Sequence, residues 1–250
     1  MMKDDFPDKK RVEVCPSPKQ FELYQWDFDI VVAIDVLRAT TAICTGLDFG
    51  VKKIIPVSTL EEAFEYRRKG YIVGAERNGE IVEGFAFGNS PFSYMNKAFK
   101  GKTLVLTTTN GTRAINLASK THTVVVGALV NLDAIIQWLI EQDRNVLLLC
   151  SGWKDKFNLE DTVCAGAITE GLLATNKFKS DEDSTISAMF LYQSARDNYF
   201  SFLKHSSHRR RLKRLNLNED IKYCLTPNQT DIIPILRNGA LEKLERDDSK

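Results

Sequence analysis

The chain has 250 residues, is 43% hydrophobic and 27% charged, and carries a formal net charge of only +1, so no global field favours nucleic acid or a membrane surface. Its five cysteines are scattered and include no C-x-x-C pair, which argues against a disulfide framework or a zinc site and favours a reducing compartment. There is no apolar signal region at the start and no stretch of about 18 apolar residues. The sequence therefore predicts a soluble cytoplasmic protein with no nucleic-acid or membrane partner.

Strands and helices are predicted to alternate from residue 11 to residue 174. Unbroken apolar runs such as 30–34 are typical of parallel strands that are buried on both faces. The predicted strands are 11–15, 30–34, 54–57, 71–74, 102–107, 123–128 and 145–150. The predicted helices are 38–48, one that follows a capping box at 58–61 and ends at Gly70, 113–119, 132–142 and 160–174. We therefore expect a three-layer α/β/α fold with a mainly parallel sheet, as one domain or as two interlocked α/β halves.

The pattern changes after residue 175. The sequence indicates a charged loop at 177–184, a long packed helix at 186–205, a basic stretch at 206–214, a short strand at 232–236 and a solvated charged tail from Glu242; residues 1–10 are expected to be frayed. We expect residues 1–175 to form the α/β core that carries most of the site. Residues 176–250 are expected to pack on the same domain.

Polar side chains follow four of the predicted strands. In chain order they are Asp35 with Arg38, Glu76 with Arg77, the hydroxyl loop 107–112, and Ser151 with Glu160 and Asp161. Because the carboxyl ends of parallel strands meet at one edge of a sheet, these groups are expected to face one ligand. Carboxylates and hydroxyls suit magnesium, arginine binds phosphate or sulfonate through paired donors, and the helix after residue 112 offers free amides to an anion. The pattern predicts a divalent-metal site for a small anionic substrate.

Each group also has a purely structural interpretation. Asp35 is suited to capping a helix, and Glu76 with Arg77 to forming an exposed pair of little energetic weight. The threonine run is compatible with the end of a β-strand followed by an Asn-Gly turn. Glu160 and Asp161 are also typical of the first turn of a helix. Their joint position at one edge favours the functional interpretation, because capping does not require arginines beside the carboxylates.

Several known motifs are missing from the sequence. There is no G-x-x-x-x-G-K-[ST] or G-x-G-x-x-G loop, Leu37 stands where a haloacid-type enzyme needs a second aspartate, and no cysteine is followed six positions later by arginine. The three histidines are not spaced as a metal cluster. His208 is interpreted as part of the solvated start of a basic helix.

Five blocks taken together resemble the magnesium-dependent 2-phosphosulfolactate phosphatases of coenzyme M biosynthesis. The blocks are 35–41, 76–77 followed by 84–91, 107–112, 150–153, and 160–161 with 165–166. The resemblance runs in order from about residue 30 to residue 172 and recurs more weakly at 207–224. Two departures are Ala86, where relatives more often carry aspartate, and Ala42, where a hydroxyl residue is common. The resemblance implies an α/β/α fold and hydrolysis of a phosphate ester flanked by a carboxylate and a sulfonate.

The resemblance and the strand-end chemistry together define the predicted site. Asp35, Glu76 and Asp161 are predicted to hold or orient Mg²⁺ and its water, with Glu160 in reserve, while Arg38 and Arg77 bind the phosphate and the second anion. These residues apart from Glu160 form the predicted catalytic set. The predicted substrate-binding residues are Thr40, Asn89, Ser90, Thr108, Asn110, Gly111, Thr112 and Ser151.

The predicted reaction is hydrolysis of 2-phosphosulfolactate to sulfolactate and phosphate by metal-activated water. Two alternatives stay open: a phosphatase for another small phosphorylated hydroxy acid, and a non-catalytic anion-binding protein. The partner expected in either enzyme is a small anionic phosphate ester. A homo-oligomer is also left open.

Overall fold

The structure is a computed structural model that describes residues 9–24, 26–120 and 122–245. Its strands are β1 (Lys10–Cys15), β2 (Ile30–Ile34), β3 (Lys53–Pro56), β4 (Ile72–Arg77), β5 (Glu80–Ile81), β6 (Thr103–Thr107), β7 (Thr123–Gly127), β8 (Val146–Cys150), β9 (Phe178–Lys179), β10 (Pro234–Arg237) and β11 (Ala240–Lys243). Its α-helices are α1 (Ala39–Asp48), α2 (Leu60–Arg68), α3 (Pro91–Tyr94), α4 (Gly111–Ala118), α5 (Leu132–Gln142), α6 (Leu159–Leu173), α7 (Asp183–Ala195), α8 (Tyr199–Phe202), α9 (Ser207–Arg214) and α10 (Asn218–Cys224).

All of these strands belong to one sheet, in the order β5-β4-β6-β3-β11-β10-β7-β2-β8-β1-β9. The sheet contains two parallel blocks, β4-β6-β3 and β7-β2-β8-β1-β9. The antiparallel hairpin β10–β11 lies between the blocks, where β10 pairs with β7 and β11 pairs with β3. The last strands of the chain therefore join two α/β halves into one sheet.

Apolar side chains of β2 alternate between two cores. Ile30, Val32 and Ile34 pack with α5 and α6 on one face, whereas Val31 and Ala33 pack with α1 and α4 on the other. A smaller cluster lies under α2 on the half of the sheet that contains β4 and β6. Helices thus cover both faces of a mostly parallel sheet, and the predicted α/β/α class is confirmed.

Four local predictions need correction. The helix α2 is capped by Thr59, whose side chain accepts from the Glu62 amide while Glu62 reaches back to the Thr59 amide, so the capping box lies one residue later than 58–61. β4 continues through Glu76 and Arg77, because an Asn78-Gly79 turn with positive φ at both residues pairs it with β5. The charged stretch 177–184 contains β9, and the tail from Glu242 begins inside β11.

The long helix expected at 186–205 is broken into α7, α8 and a 3₁₀ turn. The side chain of Asn198 accepts from the Ser201 amide and starts α8, so a new cap replaces the continuous helix. Residues 1–8 of the segment expected to be frayed lie outside the described residues. Across the described ranges, the helices all fall short of the length and apolarity that a membrane span requires.

Candidate active site

A narrow cleft lies where the carboxyl ends of the two parallel blocks meet. Its walls come from the connections after β2, β4, β6 and β8 and from α9. The lining residues are Asp35, Leu37, Arg38, Glu76, Gly79, Asn89, Thr109, Asn110, Trp153, His208 and Leu212. A wider groove that includes Arg38, Asn89 and Ser90 adjoins it.

Asp35 stands directly after the fully buried strand β2 and is itself 6% exposed. Its backbone is held by Thr40, whose hydroxyl accepts from the Asp35 amide at 3.0 Å and whose amide donates to the Asp35 carbonyl at 3.0 Å. Burial, with the nearby charge of Glu76, raises the pKa of Asp35 to about 6, although the charge of His208 lowers it. Asp35 is therefore a desolvated carboxylate that gains from a cation in the cleft.

The first turn of α4 comes unusually close to Asp35. A Cβ at Gly111 would lie 2.7 Å from Asp35 Oδ2 and 2.6 Å from Ala39 Cβ, closer than real Cβ contacts. Glycine therefore lets the first turn of α4 approach the loop that follows β2.

Glu76 enters the cleft from the end of β4. Its Oε2 accepts from the Thr109 amide at 3.1 Å, and its Oε1 accepts from the Thr109 hydroxyl at 3.0 Å and from the Gly79 amide. These donors, from the turn after β4 and the loop after β6, hold the carboxylate in place. The side chain is 4% exposed and forms part of the cleft wall. Arg77, the next residue, points elsewhere and donates to Thr107 Oγ1 at 2.9 Å and to the Glu76 carbonyl.

Arg38 forms a buried ion pair with Asp220 of α10. Its Nη1 lies 2.6 Å from Asp220 Oδ2, and its Nη2 donates to the Gly79 carbonyl at 2.7 Å. Arg38 still lines the cleft, so its remaining donors are available to an anion. The pair connects the C-terminal part of the chain to the loop after β2.

Asp161 sits behind the cleft and binds the loops that form it. Its Oδ1 accepts from the Val36 amide at 2.9 Å, and its Oδ2 accepts from the Gly152 amide at 3.1 Å and from Asn158 Nδ2 at 2.8 Å. It is fully buried, and burial together with the charges of Asp35 and Glu160 raises its pKa well above the ordinary range. With its acceptors taken up by these donors, Asp161 holds the ends of β2 and β8 together.

Glu160 and His208 form a buried hydrogen-bonded pair beside the cleft. Oε1 of Glu160 lies 2.8 Å from Nδ1 of His208, and its Oε2 accepts from the Ser206 hydroxyl at 2.8 Å. Burial raises the pKa of Glu160, but the stronger combined effect of His208 and Ser206 brings it below its ordinary value. The ring of His208 also packs against Trp153, with centroids 5.3 Å apart.

The cleft region is rich in buried negative charge. Its buried carboxylates are Asp35, Glu76, Glu160, Asp161 and Asp220. Asp220 is paired with Arg38 and Glu160 with His208, whereas Asp35 and Glu76, which face the cleft, form no salt bridge with any of the described residues. An anionic ligand would be repelled by this pair unless a cation neutralised it.

The donor atoms at the cleft are hard oxygens. Two carboxylates, Asp35 and Glu76, line it together with Asn89, whose buried Oδ1 has no hydrogen-bond partner. Magnesium is usually bound by one or two carboxylates, with water and substrate phosphate as its other ligands, so this donor set fits it. Within the described ranges no three His, Cys, Asp or Glu side chains form a metal-binding group, and Asp161 is turned to backbone amides instead.

The structure separates the predicted site residues into two layers. Those that line the cleft are Asp35, Arg38, Glu76, Asn89 and Asn110, with Ser90 in the adjoining groove. Those outside the lining are Arg77, Asp161, Thr40, Thr108, Gly111, Thr112 and Ser151. Thr108 and Thr112 exchange hydrogen bonds, each amide donating to the other hydroxyl at 3.2 Å, so they shape the loop that carries Thr109 and Asn110. Ala86 is exposed and is not a lining residue either.

Sequence reasoning missed Thr109, Trp153, His208 and Asp220. His208 was interpreted as solvated, yet it is 7% exposed, because α9 packs His208 and Leu212 inward. The four-residue spacing of these two side chains, after Ser206 as a helix cap, is the signal that places His208 on the buried face of α9.

Comparison with known proteins places this chain among described relatives. A family model described as 2-phosphosulpholactate phosphatase matches residues 15–239. A probable 2-phosphosulfolactate phosphatase of Caldanaerobacter subterraneus subsp. tengcongensis is 41% identical over 215 residues, which cover 84% of this chain and 89% of the relative. Proteins of the same description from Clostridium novyi and Clostridium perfringens (strain SM101) are 40% and 37% identical, over 82% and 86% of this chain and 87% and 89% of the relatives.

Proposed function

Because the chain belongs to the 2-phosphosulfolactate phosphatase family, a family of phosphoric monoester hydrolases, we propose that it hydrolyses 2-phosphosulfolactate to sulfolactate and phosphate with Mg²⁺ as cofactor. The observation that carries the proposal is that two carboxylates without a salt bridge to the described residues, Asp35 and Glu76, face one cleft with the unpartnered Oδ1 of Asn89. Such a group of oxygens suits a divalent cation that receives an anionic ester.

In this proposal Asp35, Glu76 and Asn89 hold the metal. The chemistry that Mg²⁺ would supply there is positive charge beside the phosphoryl oxygens and a lower pKa for a bound water. Asp161 acts indirectly, because its bonds to the Val36 and Gly152 amides keep the cleft walls in register. Its predicted role as a ligand is therefore replaced here by a positioning role.

Two side chains are suited to bind the substrate directly. Asn110 accepts from the Lys154 amide through Oδ1 at 3.1 Å, which leaves its Nδ2 free to donate to a phosphoryl oxygen. Arg38, held by Asp220 and Gly79, presents a pre-oriented guanidinium to the carboxylate or sulfonate of the substrate. Both groups are fixed before the ester binds, so they contribute orientation as well as charge.

The proposal is tested by phosphate release from the purified protein. With 2-phosphosulfolactate and magnesium chloride we expect turnover that is lost on chelation with EDTA and restored by added Mg²⁺. Asp35→Asn and Glu76→Gln preserve side-chain shape but remove charge, and each is expected to weaken Mg²⁺ binding measured by calorimetry and to lower turnover by at least about 100-fold. The control is Glu65→Gln, at an exposed carboxylate on α2 away from the cleft.

The remaining alternatives give different results in the same assay. A phosphatase for another hydroxy acid would turn over 2-phospholactate as fast as, or faster than, 2-phosphosulfolactate. A non-catalytic anion-binding protein would release no phosphate from either ester with Mg²⁺ present. Either result would contradict the proposed substrate.

A further inference from the structure

His208 lines the cleft and is held there by residues that have no role in the predicted catalytic set. Its Nδ1 is bound to the fully buried Glu160 at 2.8 Å, and one face of its ring packs against Trp153. Its Nε2 has no hydrogen-bond partner among the described residues, although the side chain lines the cleft. The free ring nitrogen is therefore the atom that a ligand would meet.

Glu160 has no task in the cleft apart from holding this ring. It is 0% exposed, its two oxygens accept from His208 and from Ser206, and it is not among the cleft-lining residues. A buried carboxylate that accepts from Nδ1 sets the ring orientation and stabilises the protonated imidazole. A buried carboxylate is costly unless it has a hydrogen-bonding partner, so Glu160 depends on His208 as much as His208 depends on Glu160.

We propose that His208 is the proton donor to the leaving oxygen of the phosphate ester, and that Glu160 is its positioning residue. The proposal rests on the proposed phosphatase function. It assigns a catalytic role to a histidine on α9, a helix of the C-terminal part of the chain, while Asp35 and Glu76 stay on the metal side of the cleft.

The chemical step balances with water as the only co-reactant. The water oxygen forms a bond to phosphorus while the bond between phosphorus and the ester oxygen breaks. The electron pair of that bond passes to the ester oxygen, which takes the proton from Nε2 and leaves as the hydroxyl of the product. The water keeps one proton in the hydrogen phosphate product, and its other proton returns through solvent to the imidazole.

Steady-state kinetics with 2-phosphosulfolactate and Mg²⁺ test the donor role. His208→Gln retains an N–H group of similar reach but cannot transfer a proton, so we expect kcat to fall roughly 100- to 10,000-fold while KM changes little. His205→Gln is the matched control, because His205 is an exposed histidine three residues earlier, and its kcat should be unchanged. Circular dichroism and thermal melts verify that both variants are folded.

Nuclear magnetic resonance with ¹⁵N-labelled histidine tests the contact without turnover. The chain has three histidines, so the His208 signals are assigned by their loss in His208→Gln. Inorganic phosphate with Mg²⁺ is expected to shift the Nε2 signal of His208 and to leave that of His205 in place. Glu160→Gln is expected to shift the Nδ1 signal in the free protein and to lower kcat more than it raises KM.

The outcomes separate the two proposals. If the wild type releases no phosphate from 2-phosphosulfolactate, the proposed function fails and the role of His208 fails with it. If the wild type is active but His208→Gln matches His205→Gln, or raises KM with kcat unchanged, only the His208 proposal is overturned. It is also overturned if phosphate inhibits the enzyme without moving the His208 Nε2 signal.

Discussion

Glu13 is a buried charge that lies outside the cleft, in β1. It is 8% exposed, and burial raises its pKa above the ordinary value of 4.5, with Arg11 at 3.7 Å opposing the rise. A raised pKa means that the carboxyl group of Glu13 binds its proton more tightly in the folded protein than in the unfolded chain. Ionised Glu13 therefore lowers the free energy of unfolding at neutral pH, and this penalty disappears as the pH falls below 4.5.

Glu13→Gln is accordingly expected to raise the free energy of unfolding at about pH 7 and to leave it unchanged at about pH 4. Urea unfolding at several pH values between these limits measures the difference. Glu22→Gln, which changes an exposed carboxylate, serves as the control and should have little effect at any of them. A Glu13 variant that is less stable than the wild type at neutral pH would show that its pairing with Arg11 outweighs the cost of burial.

Gly111 is the residue through which α4 reaches Asp35. Because an added Cβ would lie 2.7 Å from Asp35 Oδ2, Gly111→Ala must push α4 or the carboxylate aside. Displacements of the order of 1 Å can cost about 100-fold in rate, so we expect phosphate release to fall by about 10- to 100-fold. Gly88→Ala is the matched control, because its nearest contact would be an ordinary 3.5 Å, and it should retain activity. Equal activity of the two variants would contradict the close approach.

The helix α10 is joined to the cleft by one ion pair. Asp220 and Arg38 are 182 residues apart in the chain, and both side chains are almost fully buried. Removing one charge of such a pair leaves the other desolvated, so Asp220→Asn is expected to lower the free energy of unfolding by about 3–5 kcal/mol. It should also raise KM, because Arg38 loses the partner that orients it.

Urea unfolding and phosphate-release kinetics measure these two effects. Glu219→Gln is the control on the same helix, since the exposed pair of Glu219 with Lys222 contributes less than about 1 kcal/mol. If Asp220→Asn were no less stable than Glu219→Gln, the buried pair would have no structural role.

Elements with strong local patterns could be predicted from the sequence. The all-apolar run of β2 and the amphipathic helix 132–142 were assigned with their observed bounds, because burial on both faces or on one stripe leaves a regular pattern. The β4–β5 hairpin was missed although Asn78-Gly79 is a strong turn pair, because β5 has only two residues and both are exposed.

Contacts between distant parts of the chain could not be predicted in the same way. Asp35 and Glu76 do line one cleft, as expected, but the expected reason is wrong. Three antiparallel pairings lie between β3 and β7, so the blocks that contain β4 and β2 run in opposite directions and do not share a carboxyl edge of one parallel sheet. By contrast, the pairing of His208 with Glu160 depends on how α9 packs across the sheet, and the basic sequence around it is equally typical of a solvated helix. Two of the three donors to Asp161 are the backbone amides of Val36 and Gly152, and a backbone donor leaves no signal in the identity of its residue.

At the scale of the whole molecule, the C-terminal hairpin makes one sheet from two parallel blocks. Leu241 in β11 is fully buried and its backbone pairs with Ile54 of β3, while Ile235 in β10 pairs with Val125 of β7. The division of the chain at residue 175 stays a prediction, but strands from both sides of it lie side by side. We therefore expect the two blocks to unfold together.

Leu241→Ala tests this cooperativity. Truncating a fully buried leucine is expected to lower the free energy of unfolding by about 2–5 kcal/mol, whereas Leu23→Ala, at a side chain that is 79% exposed, should change it little.

If the hairpin couples the blocks, the far-ultraviolet circular dichroism and tryptophan fluorescence of the variant follow one coincident transition in urea, shifted to lower concentration. The three tryptophans all lie on the half of the sheet that contains β8: Trp26 precedes β2, Trp138 lies in α5 and Trp153 follows β8. Fluorescence therefore reports that half, while circular dichroism reports both. Separate transitions would mean that β10–β11 connects two independently folding halves, and substitutions in one block would then leave the stability of the other unchanged.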